Sequence, residues 1–248
     1  MWPYPKVLAH RGGGQLAPEN TLAALQCGLD HGFHAVEFDV MLSKDGVPVL
    51  MHDPDFGRTV AGTGEVAQSL AQDLLKMDAG SWFDARFAGV CIPSYEDAFR
   101  FCIAHGIWMN VEIKPAPGHA VATGREVAKM SKRLLKELQP AQHLIPLFSS
   151  FEIDAVAAAK VHAPDIPRAL LMDRIGDFWL SDLQKLEAKA LHTNHKHLNA
   201  DLARQIKQAG YGLFCYTVNT LERAKEIHHW GVDAFCTDRI DLISANAI

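Results

Sequence analysis

Glu37 and Asp39 stand two residues apart in the run Val36-Glu-Phe-Asp-Val40, and Glu112 and Lys114 do the same in Asn110-Val-Glu-Ile-Lys114. In an extended strand that spacing turns both members of a pair to one face, with Val36, Phe38 and Val40 on the other. Apolar side chains packed outward against helices leave the two acids inside, where like charges are costly unless something positive joins them. Three converging carboxylates make an all-oxygen set suited to Mg²⁺ or Ca²⁺ rather than zinc. A buried ion-pair network with Lys114 is the alternative reading. His10 ends the first strand-like run and is followed by Arg11 and three glycines, whose backbone N–H groups could approach an anion closely.

His52 is reached through a hairpin. Asp45-Gly46 reads as a two-residue turn. Pairing outward from it sets Lys44 opposite Val47, Met41 opposite Leu50 and Asp39 opposite His52, which returns the histidine to the carboxylates. Pro48 cannot donate to a ladder, so the returning strand belongs at an edge. Asn20 reads as the cap of a helix opening at Thr21, a structural role. His192, His195 and His197 read as solvated or rim residues, and His228 and His229 as helix C-terminal residues favoured by the dipole.

Positioning these groups requires a repeating scaffold. Short apolar runs recur at Val7–Ala9, Ala35–Met41, Trp108–Ile113, Leu144–Ser149, Pro167–Leu171, Ala190–Asn194, Gly212–Val218 and Ala234–Thr237. Between them lie segments with helical apolar spacing, such as Thr21–His31, Tyr95–His105 and Thr220–Trp230. Glycines 32, 106, 210 and 231 each stand between a helical segment and the next strand, a helix stop signal. Such alternation implies parallel strands with helices outside, and eight units imply a closed (β/α)8 TIM barrel; a doubly wound open sheet is the rival. The 248 residues match the roughly 250 typical of one such barrel, so a single catalytic domain spanning 1–248 is expected. Asp53–Pro93 breaks the rhythm. It reads as a small insertion over the C-terminal mouth of the barrel, packed around Trp82 and Phe83.

Taken in order, these motifs resemble the glycerophosphodiester phosphodiesterase family, in its cytoplasmic, bacterial form. The likeness runs from Ala9-His-Arg-Gly12, Ala17-Pro-Glu-Asn-Thr21 and Val36-Glu-Phe-Asp-Val40 through Lys44-Asp-Gly46 and His52-Asp-Pro54. It continues in Arg58-Thr59, Gly62-Thr-Gly64, Asp78-Ala-Gly-Ser-Trp-Phe83, Ile92-Pro-Ser-Tyr-Glu96 and Asn110-Val-Glu-Ile-Lys114, and ends in Tyr216-Thr-Val-Asn219 and Thr237-Asp238. The resemblance implies that His10 and His52 are the catalytic acid–base pair. It implies that Glu37, Asp39 and Glu112 bind one divalent cation, Mg²⁺ or alternatively Ca²⁺, and that Arg11 and Lys114 contact phosphate. The implied reaction is hydrolysis of a glycerophosphodiester to sn-glycerol 3-phosphate and an alcohol. Tyr216 departs from the pattern, standing where Trp is frequent. A lysophospholipase D or sphingolipid-type phosphodiesterase on the same barrel is the nearest alternative, and a non-catalytic phosphate-binding barrel a more distant one.

Bulk properties narrow the partners. Net charge is −5 and no long Lys/Arg run is present, which argues against nucleic acid or an anionic membrane surface. The five cysteines are scattered with no Cys-x-x-Cys pair, so neither a disulfide framework nor a zinc-thiolate site is expected, and the reducing cytoplasm fits best. No signal peptide and no membrane span is read. The expected partner is a small-molecule glycerophosphodiester, with a homodimer as the candidate assembly.

Overall fold

The computed structural model describes residues 2–248. Its strands are β1 (Val7–Ala9), β2 (Ala35–Leu42), β3 (Pro48–Leu50), β4 (Trp108–Ile113), β5 (Leu147–Ser150), β6 (Arg168–Met172), β7 (Ala190–Asn194), β8 (Gly212–Tyr216) and β9 (Ala234–Thr237). All but β3 run parallel, and Ala9 of β1 closes the ring by pairing with both Val36 and Thr237. The result is a closed eight-stranded TIM barrel, not an open sheet. The helices are α1 (Leu22–Asp30), α2 (Ala71–Leu74), α3 (Tyr95–Ala104), α4 (Ala120–Leu138), α5 (Ile153–His162), α6 (Trp179–Leu186), α7 (Ala200–Gln208) and α8 (Leu221–His229).

Local chemistry sets the helix ends. Thr21, Ser94, Asn199 and Thr220 each accept a hydrogen bond from the backbone N–H three residues on, satisfying a donor that a helix start leaves free. Thr21, not Asn20, therefore caps α1. Gly32, Gly106, Gly210 and Gly231 all have positive φ, as a helix stop requires. β5 starts at Leu147 rather than Leu144, because Gln142–Leu144 is a 3-10 turn followed by Pro146, which has no N–H for the ladder.

Two apolar layers hold the barrel. Val36, Phe38, Val40, Val111 and Ile113 face outward into the main core with α3 and α4. Inside, each barrel strand contributes to one buried layer: Leu8, Ala35, Trp108, Leu147, Ala169, Ala190, Phe214 and Ala234. Trp2 and Tyr4 plug the floor, Tyr4 stacking on Trp108 with ring centroids 4.4 Å apart. Side chains one repeat further along the strands therefore stand at the mouth.

The hairpin differs from expectation by one residue. Val40 pairs with Leu50, Met41 with Val49 and Leu42 with Pro48. Ser43 bonds across to Val47, and Gly46 at φ +78° donates to Ser43 O, so Lys44-Asp45-Gly46 is a three-residue loop rather than a two-residue turn. Asp39 thus faces Met51, whose N–H donates to its carbonyl at 3.2 Å. His52 still reaches the mouth because β3 ends at Leu50 and strand alternation no longer binds it.

The segment from Asp53 to Pro93 contains α2 and two single 3-10 turns, and packs a separate small core of Met51, Val60, Val66, Leu74 and Ile92. Trp82 lies outside that core and is 41% exposed. Asp78 organises the Trp82 turn by accepting from the N–H groups of Gly80, Ser81 and Gly89. No helix among the described residues is long and apolar enough to cross a membrane, and all five cysteines are free.

Candidate active site

Glu37 and Asp39 on β2 and Glu112 on β4 converge at the mouth, with one carboxylate oxygen of each within 4.8 Å of the others. All three are buried. Adjacent register explains this: Asp39 lies directly beside Glu112, and Glu37 beside Asn110. With His10, Arg11, His52 and Lys114 they line a cavity of about 160 Å³ floored by Leu171 and Phe214.

The charges are unequal. Burial, then Asp39 and Glu112, push the Glu37 carboxyl well above its ordinary value. Burial and Asp39 likewise push Glu112 up to about 7. Burial works the same way on Asp39, but Lys114, Arg11, His52 and the Asn20 amide override it and hold that carboxyl below its usual range. Lys114 Nζ sits 3.3 Å from Asp39 and 3.4 Å from Glu112. One cation thus bridges two acids, and Glu37 Oε1 remains buried without any hydrogen-bond partner. An orphaned carboxylate oxygen among three hard oxygen ligands fits a divalent metal ion.

Asn20 is the clearest departure from the sequence reading. It is buried at φ +57°, its amide donates to Asp39 Oδ2 at 2.8 Å, and its Oδ1 accepts the Asp39 N–H at 3.0 Å. This two-point bracket fixes the carboxylate. Its backbone N–H donates to Arg11 O, and Arg11 is itself left-handed at φ +51°. Two non-glycine residues in that region side by side mark backbone strain concentrated at the site.

Each histidine is oriented by an acid. His10 Nδ1 lies 2.6 Å from Asp238 Oδ1, and His52 Nδ1 lies 2.6 Å from Asp53 Oδ1. A carboxylate at Nδ1 keeps the proton there and leaves Nε2 free. His10 Nε2 points inward, 3.7 Å from Glu37. Burial lowers the His52 pKa; Asp39 opposes this, and Arg11 and Lys114 reinforce it. An ion-pair chain links the two sides of the mouth: Arg11 to Glu19, Glu19 to Arg58, Arg58 to Asp53, and Asp53 to His52. Arg11 therefore shares its charge with Glu19.

The glycines after Arg11 serve packing more than anion binding. Gly14 N–H donates to His10 O, Gln15 N–H to Asp238 O, and Arg11 N–H to Glu37. Gly14 is at φ +55°, and a Cβ there would fall 2.2 Å from Asp238 O. Only glycine lets the loop carrying Asp238 come close enough to hold His10. Gly14→Ala is accordingly expected to lower the melting temperature and to cut kcat by about 10²-fold, the scale of a misplaced catalytic group; unchanged kcat would show that Asp238 tolerates displacement.

His192 is not a rim residue. It lies within β7, fully buried in the barrel, with neither ring nitrogen hydrogen-bonded and its pKa driven by burial to about 3. His195 and His197 do lie near the rim, against Arg223 and Asp173. The sequence reading assigns no site role to Asp53, Asp238, Glu19, Arg58 or Asn110, although all five lie within the motifs that carry the resemblance.

A closed TIM barrel whose strand ends gather a carboxylate triad and two acid-oriented histidines defines a hydrolase-type site at the usual face of this fold. The chain matches the glycerophosphoryl diester phosphodiesterase family over residues 10–242 and belongs to that family. It is 33% identical over 233 residues to a glycerophosphodiester phosphodiesterase of Caldanaerobacter subterraneus subsp. tengcongensis, covering 94% of this chain and 93% of that one. An Oleispira antarctica phosphodiesterase, solved in complex with the product sn-glycerol-3-phosphate, superposes with a TM-score of 0.90 at 34% identity, covering 98% and 96% of the two chains. A glycerophosphodiester phosphodiesterase of Agrobacterium tumefaciens superposes at a TM-score of 0.77 and 25% identity, covering 96% and 97%.

Proposed function

We propose that this enzyme releases sn-glycerol 3-phosphate and an alcohol by acid–base catalysis between His10 and His52, with one divalent cation held by Glu37, Asp39 and Glu112. The observation that carries this is the pairing of two carboxylate-oriented histidines with a buried triad whose Glu37 Oε1 lacks any partner. When bound, the ion, Mg²⁺ or Ca²⁺, would polarise a phosphoryl oxygen and lower the pKa of a bound hydroxyl. Asn20 and Lys114 hold Asp39 ionised and in place. Lys114 and Arg11 attract the diester phosphate. One histidine, with Nε2 free, accepts a proton from the nucleophile, and the other delivers one to the departing alcohol.

The glycerol end is assigned to the groove of about 420 Å³ beside His10, where Gln15, Glu19, Trp82, Phe83 and Asp238 form the walls. Gln15, Glu19 and Asp238 offer hydrogen-bond partners to a small polyol there. That places part of the Asp53–Pro93 insertion against the glycerol moiety.

The test is a panel of glycerophosphocholine, glycerophosphoethanolamine, glycerophosphoglycerol and lysophosphatidylcholine with Mg²⁺ or Ca²⁺, read by enzymatic assay of glycerol 3-phosphate and, for lysophosphatidylcholine, of free choline. Turnover is expected with the glycerophosphodiesters, and Trp82→Ala should raise KM for all of them alike because they share the glycerol end. Cleavage restricted to lysophosphatidylcholine would instead favour the lysophospholipase D reading, and none with any substrate would refute the proposal.

A further inference from the structure

The barrel mouth is divided by strand. Every charged side chain lining the central cavity comes from β1, β2, β3, β4 or the residues that follow them, whereas Phe151 and Tyr216 stand across from them above the Leu171–Phe214 floor. Phe151 directly follows β5 and is 42% exposed; Tyr216 ends β8. Their rings meet edge to face, centroids 5.8 Å apart at 80°. The Tyr216 hydroxyl is buried and has no hydrogen-bond partner within the protein.

A carboxylate is tied to the same arc. Asn194 of β7 is in direct register with Tyr216, so the two share a face. Its amide donates to Asp173 Oδ1 at 2.9 Å, and Asp173 is the first residue after β6. The other Asp173 oxygen is 3.4 Å from His197 Nε2. Burial first, then Asp173, raises the Tyr216 phenol above its ordinary value, which keeps it neutral and its hydroxyl intact.

We propose that the Phe151–Tyr216 corner, with Asp173 on its rim, is the subsite for the departing alcohol and selects alcohols that carry an ammonium group, such as choline or ethanolamine. This rests on the preceding reading of the reaction. With phosphate on the charged half and glycerol in the Trp82–Phe83 groove, the second ester arm faces the aromatic half. A neutral alcohol gains little from ring faces. An ammonium is attracted by the ring quadrupole within about 6 Å of a centroid, and a nearby carboxylate adds to that field. A primary ammonium can in addition donate to the free Tyr216 oxygen, which a quaternary one cannot.

The experiment compares kcat/KM for glycerophosphocholine and glycerophosphoglycerol in the wild type, Phe151→Leu, Phe151→Tyr and Asp173→Asn. The wild type should prefer the choline ester, the preference should fall about tenfold in Phe151→Leu, and the aromatic replacement Phe151→Tyr should retain it. Tyr216→Phe should weaken ethanolamine esters more than choline esters. Equal kcat/KM for both diesters in the wild type, or an unchanged ratio in Phe151→Leu, overturns the subsite while leaving the reaction assignment intact. If no diester is cleaved, the reaction assignment fails, and saturation-transfer NMR of choline still reads the corner. A choline signal in the wild type that is lost in Phe151→Leu supports the subsite, and equal signals, or none in the wild type, overturn it.

Discussion

Stripping divalent cations with a chelator is expected to abolish turnover, with Mg²⁺, Mn²⁺ or Ca²⁺ restoring it and Zn²⁺ serving poorly at an all-oxygen site. Three buried carboxylates and one bridging lysine leave the cluster short of positive charge, and the protein compensates by holding Glu37 and Glu112 as acids. That compensation has a sign. The folded metal-free protein keeps a proton on Glu112 between its ordinary 4.5 and about 7, where the unfolded chain has released it. Stability of the metal-free protein is therefore lost as pH rises through that window. Asp39 acts oppositely, but only as pH falls below its ordinary 3.8. Metal binding requires the ionised acids, so the rise in melting temperature on adding Mg²⁺ should be larger at pH 8 than at pH 5.5. Full turnover in a preparation shown metal-free by elemental analysis would refute the assignment.

The parts of this site that were legible in the sequence are those fixed by strand periodicity. Glu37, Asp39 and Glu112 share one interior because two-residue spacing on neighbouring parallel strands leaves little choice. The hairpin register that brings His52 to the mouth differs by one residue between sequence and structure, since Asp45-Gly46 supports either a two- or a three-residue loop and only packing decides. Asn before Thr reads as a cap in the sequence; that Thr21 takes the cap and frees Asn20 to bracket Asp39 is a tertiary fact. Asp238 meets His10 across 228 residues of chain, which no local pattern encodes. The insertion's Trp82, read as a packed residue, lies half-exposed beside the groove instead.

His10→Ala and His52→Ala are each expected to cut kcat by at least about 10²-fold, the usual scale for losing a general acid or base. Neither side chain belongs to the carboxylate triad and both are part-exposed, so metal affinity and melting temperature should change little. The partners separate catalysis from mere contact. Asp238 and Asp53 each accept at Nδ1, which commits Nε2 to the cavity. Asp238→Asn or Asp53→Asn can donate to Nδ1 instead and so favour the opposite tautomer, with Nε2 protonated and unable to act as a base. The variant serving the base should lose kcat with KM nearly unchanged. The variant serving the acid should lose less, because its histidine needs a proton on Nε2 in any case. The pair of asparagine variants thereby distinguishes which histidine takes the proton from the nucleophile and which gives one to the alcohol. Near-normal turnover in either alanine variant would remove that histidine from the chemistry and leave its carboxylate pairing as a purely structural contact.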